Sequence, residues 1–143
     1  MGKKSDYKKL LDSLTSYSGI DRVRTIEDLH EAIEKIHEYL EGVPWNYMKP
    51  ENRRKLEGII DEYIENLVSE KKEYIIKYWR EHTPRYRPSY EKVLEYILDH
   101  PEYYTLYMES PMKAYREIAQ ITGYSWRTVR DAFWSFRRAG ILE

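Results

Sequence analysis

Cysteine is absent from the chain, which removes disulfides, cysteine nucleophiles and thiolate metal sites together and suits a reducing cytosol. No apolar run approaches the ~18 to 20 residues of a membrane span. The stretch MGKKSDYKK lacks the apolar core of a signal peptide, and Asp6 stands where N-myristoylation needs Ser or Thr. The expectation is a soluble, cytoplasmic protein without a membrane partner. No nucleophile motif, glycine-rich phosphate loop or paired-carboxylate pattern is visible, so neither an enzyme nor a cofactor is expected. Glutamine occurs only as Gln120, and scarce amides with abundant Lys and Glu fit a thermophile.

A large excess of one charge is missing as well: the formal net charge of -1 argues against a general nucleic-acid coat. Its distribution is uneven. Residues 21–41 carry seven acids against three bases, whereas residues 112–143 carry six bases against three acids. With 143 residues, 41% hydrophobic and 34% charged, the chain can bury roughly two-thirds of its unfolded surface, enough for one domain or two very small ones.

The apolar residues recur at helical spacing. A first helix over residues 5 to about 17 carries Tyr7, Leu10, Leu11 and Leu14 and ends at Gly19. Thr25, with Asp28 three residues on, caps a second whose seam is Ile26, Leu29, Ile33, Ile36 and Leu40, closed by Gly42. Pro50 opens a third running to about residue 81, close to 50 Å long at ~1.5 Å per residue. Its apolar residues spread over two faces, one of them the stripe from Leu56 through Tyr63 to Tyr74 and Tyr78. Covering both calls for a partner subunit or docking of the C-terminal unit, and Gly58 allows a bend or close crossing. HTPRYRPS, with Pro84 and Pro88, reads as a linker. Beyond it, Ser89 is the expected cap of a helix carrying Leu94, Ile97 and Leu98. The tyrosine-rich YYTLYMES reads as a short strand or extended connector. A helix from Pro111 to Gly123 and another after Ser125, with inward Val129, Ala132, Phe133 and Phe136, complete the chain before Gly140.

In REIAQITGYSWRTVRDAFWSFRRAGIL, Ala119, Gly123 and Val129 have the roles of a helix crossing, a left-handed turn and a corner plug. This stretch, within residues 89–143, resembles the core of a winged helix-turn-helix DNA-binding domain. The resemblance implies that the helix over residues 126–138 enters the major groove, with Arg127 and Arg130 contacting guanine. Trp126 and Thr128 fall against thymine methyls or sugar, and Tyr124 and Ser125 near phosphate. Lys113, Arg116, Arg137 and Arg138 add positioning charge, and Trp134 lies midway along the outward face, where it could also pack on the long third helix. A winged domain normally continues into a two-stranded hairpin. Only Ile141 and Leu142 remain for it, so a truncated wing is expected, with YYTLYMES a possible strand partner.

The implied protein is all-α: an N-terminal helical bundle with a long helix (residues 1–83, for packing or dimerisation) and a winged-helix-like domain (residues 84–143). Its expected role is sequence-specific binding of double-stranded DNA as a transcriptional regulator, with a homodimer presenting two recognition helices. A second reading comes from YWREHTPRYRPSY, where Trp79, Arg80, Arg85, Tyr86 and Arg87 interleave aromatic and basic groups as single-stranded DNA requires, or else pack between the two halves. A long helix ending so, with helices after it, is similar to the helical template-binding modules of archaeal plasmid primase-polymerases, which implies a replication or origin-binding role. A third reading is a protein-docking adaptor. His30, Glu34 and His37 share spacing that could clamp a metal, but histidines beside an apolar seam in a charge-rich helix read as surface residues, and no metal is expected.

Overall fold

In the computed structural model, residues 2–143 are described, with side chains from Tyr7 onward; the side chains through Asp6, where leader and lipid-anchor patterns were sought, lie outside them. Seven α-helices run in order among the described residues: α1 Gly2–Ser18, α2 Ile26–Glu41, α3 Pro50–His82, α4 Pro88–Asp99, α5 Pro101–Glu109, α6 Pro111–Thr122 and α7 Trp126–Ala139. No helix among them is long and apolar enough to cross a membrane.

Local chemistry accounts for most of the boundaries. Gly19 ends α1 in the left-handed region at φ 69°. Thr25 and Asp28 cap α2 reciprocally, each side chain accepting from the other's backbone amide. Prolines at the first positions of α3 to α6 fit where an amide has no helical partner. Pro88 takes that place in α4, so Arg87, not Ser89, is the capping residue, and it makes no side-chain capping bond. Gly123 (φ 82°) and Gly140 (φ 83°) close α6 and α7 in the left-handed region, and Ser125 Oγ accepts from the Thr128 amide to open α7.

The expected strand is not formed. YYTLYMES lies in α5, where Pro101 starts a helix and the helical register puts Tyr107 against Phe133 and Tyr115, at ring-centroid distances of 4.6 and 6.1 Å. Ile141 and Leu142 likewise form no wing. Both are buried, the Ile26 amide donates to the Ile141 carbonyl at 2.9 Å, and the Glu143 amide donates to Glu27 at 2.9 Å. The end of the chain thus satisfies an amide that the first turn of α2 leaves open.

Packing joins both ends of the chain in one continuous core. Leu56 and Ile60, in the first half of α3, bury with Leu14 of α1 and with Ile26, Leu29 and Ile36 of α2. In the last part of α3, Ile75 and Trp79 bury with the C-terminal helices, and Trp79 Nε1 donates to Ser135 Oγ of α7 at 3.0 Å. Lys72–Asp99, at 2.6 Å, and Arg80–Glu91 tie α3 to α4 at the surface. Docking of the C-terminal helices therefore covers one end of α3, while Ile64, Leu67 and Val68 in its middle stay half-buried and Tyr74 is exposed. Gly58 lies in open space within α3, so no close crossing is made there.

Candidate nucleic-acid interface

The inward stripe of α7 is sealed, with Val129, Ala132, Phe133 and Phe136 fully buried. What remains on the helix is mostly cationic and aromatic, with Thr128 and Asp131 among it. Arg127, Arg137 and Arg138 are exposed, and Trp126, Thr128 and Arg130 half-buried. The guanidiniums of Arg127 and Arg130 lie 5.5 and 5.3 Å from the centre of the Trp126 ring, which is itself half packed on the core. Such flanking holds two flexible side chains over one turn of helix through the negative face of the indole. Arg130 also donates through Nε and Nη2 to Asp131 Oδ1, both at 3.2 Å. Sequence reasoning passed over Asp131, although it is the one carboxylate among the outward residues of α7.

Around the turn, Tyr124 is half-buried and Ser125 exposed. The Ser125 and Thr128 hydroxyls lie 3.0 Å apart, engaged with each other and with the first turn of α7. Lys113 and Arg116 are exposed on α6. Trp134 is 54% exposed and borders a cleft between the residues following α3 and the outward side of α7. That cleft has a volume of about 250 Å³, with Tyr90 and Ser135 as its buried lining and Arg85, Asp131, Trp134 and Arg138 around them.

The aromatic-basic stretch divides. Trp79 is fully buried, its ring 5.8 Å from Phe136, and so cannot stack on a base; the core between α3 and α7 claims it. Arg80 is engaged by Glu91. Arg87 lies 5.9 Å over the Tyr90 ring, and Tyr86 is exposed with its ring 5.6 Å from Trp79. Of Trp79, Arg80, Arg85, Tyr86 and Arg87, Arg85 alone joins the α7 residues in the cleft.

His30 is buried rather than superficial, because α4 and α5 pack over α2; its ring meets Tyr104 edge-on at 5.7 Å and neither nitrogen has a hydrogen-bond partner. Burial pushes it below the ordinary histidine value, against the opposing pull of the Ile97 and Leu98 backbone and of Glu27 and Glu34. Glu34 and His37 are exposed, so the three do not converge, and among the described residues no group of three or more His, Asp or Glu is placed to hold a metal. No protein-family model matches the chain, and comparisons with curated proteins and with solved structures return no match.

Proposed function

We propose that the protein binds double-stranded DNA in a sequence-specific manner, as a transcriptional regulator, by laying α7 in the major groove. What carries this reading is the contrast across α7. One side is buried and apolar apart from Ser135; the other presents Arg127 and Arg130 over Trp126, followed by exposed Trp134, Arg137 and Arg138. A major groove admits one α-helix, and an arginine reads guanine through two acceptors in one plane. In this reading α6, the Gly123 turn and α7 act as the helix-turn-helix pair of a winged-helix-like domain without its wing, Lys113 and Arg116 meet phosphate, and Asp131 releases Arg130 when a base engages it. A homodimer would present two copies of α7 to a palindromic site. The protein acts by binding, not catalysis.

A replication module that prefers single strands is the second reading, favoured by the cleft that sets Arg85 beside Trp134 and Arg138. Fluorescence anisotropy with double- and single-stranded probes over a salt series separates the two. Duplex preference with Arg130→Ala costing roughly 1 to 3 kcal/mol on a selected site, and Arg138→Ala lowering the salt slope by about one, supports the first. Single-strand preference supports the second. The absence of salt-dependent affinity for any DNA rules out both and leaves a protein-docking adaptor.

A further inference from the structure

We infer that the cleft between residues 83–85 and α7 holds one unpaired nucleotide of a DNA strand whose neighbouring duplex lies along α7; this rests on the DNA-binding reading above. Three observations on the same cleft carry it. Trp134, 54% exposed, stands in its lining, although an isolated protein gains by covering such a ring. Arg85 and Arg138 come from separate parts of the chain to the same opening, which supplies cation for a phosphate from two sides. Asp131 lines the cleft, and once Arg130 turns to the duplex its freed Oδ1 provides an acceptor for the exocyclic amine of a base. The volume of about 250 Å³, below the ~300 to 1,000 Å³ of pockets for drug-sized ligands, leaves room for a single base. Asp131, Trp134, Ser135 and Arg138 follow the reading arginines on α7, so a strand leaving the groove in that direction reaches the cleft. A duplex with an unpaired position at that point has already met the cost of unstacking the base, and is the preferred target.

A free mononucleotide has the same base and phosphate, and the test separates the two sources. The probes are a fully paired duplex, the same duplex with one unpaired 2-aminopurine, and free 2-aminopurine deoxynucleotide monophosphate. Anisotropy reports binding, and 2-aminopurine emission reports stacking. The wild-type protein is expected to bind the unpaired probe about 5- to 150-fold more tightly than the paired one and to quench its emission. Trp134→Ala is expected to abolish the preference and the quenching, and Trp134→Phe to retain most of both. Binding of both duplexes with equal affinity and no quenching overturns the cleft assignment and leaves the duplex reading standing. Equal quenching of the free monophosphate assigns the cleft to a soluble nucleotide and also overturns it. Failure to bind any DNA overturns both.

Discussion

Replacing Trp79 tests whether the core that presents α7 is continuous from one end of the chain to the other. The side chain is fully buried, contacts Phe136 at 5.8 Å in an edge-to-face arrangement and donates to Ser135 Oγ at 3.0 Å. Truncating a buried Trp to Ala costs about 3 to 5 kcal/mol, the aromatic contact included. The lost hydrogen bond adds only about 1 kcal/mol, because Ser135 Oγ still donates to the Ala132 carbonyl at 2.8 Å and is not orphaned. Trp79→Ala is therefore expected to lower unfolding free energy by about 4 to 6 kcal/mol. That is a large share of the ~5 to 15 kcal/mol usual for a domain, so Trp79→Phe, which keeps most of the ring, is the milder companion at about 1 to 2 kcal/mol. Urea denaturation followed by far-ultraviolet circular dichroism measures both. A loss below 1 kcal/mol for the alanine variant would refute the reasoning. So would a wild-type transition in two separate steps, because it would mean that the N-terminal helices and the α4–α7 helices unfold independently.

Three further outcomes are expected. Gly123→Ala meets open space, so its cost is purely conformational, roughly 1 to 2 kcal/mol for a left-handed residue; an unchanged thermal midpoint would show that the turn tolerates another geometry. His30 has a folded pKa below its unfolded value, so its contribution is constant above about pH 6.5 and stability falls as the pH drops below that, where the unfolded chain takes up the proton that the buried ring refuses. The groups facing it are Glu27 and Glu34 of its own helix and Tyr104 of α5, and His30→Leu should remove this part of the acid sensitivity; parallel stability–pH curves for variant and wild type would contradict it. Asp131→Asn frees Arg130 and removes a charge that repels phosphate, so affinity for a fully paired duplex should rise about two- to fivefold at low salt, and weaker binding would speak against Arg130 as a DNA contact.

Where a boundary rests on a local signal, the sequence announces it. Thr25 with Asp28, Gly19, Gly123, Gly140 and Ser125 act through the few residues beside them, and so does the inward stripe of α7. The tyrosines of α5 misled because their β preference is a weak bias that packing reverses; the proline at its start and the spacing of Tyr103 to Tyr107 were the helical signals available. Burial of His30 and Trp79 depends on helices distant in sequence, which spacing within their own helices does not reveal. The cleft was illegible for the same reason. Arg85 and Arg138 were each recognisable as basic groups, but their convergence on Trp134 and Asp131 is a product of docking α3 and α7 through Trp79.

Amide chemical-shift mapping during titration with a duplex that carries one unpaired base tests the proposed DNA-facing role of α7 most directly. Changes should concentrate at residues 124–131, 134, 137 and 138, with a second group at residues 83–87. Shifts confined to α1, α2 and the first half of α3, or a spectrum unmoved by DNA at low salt, would contradict the account.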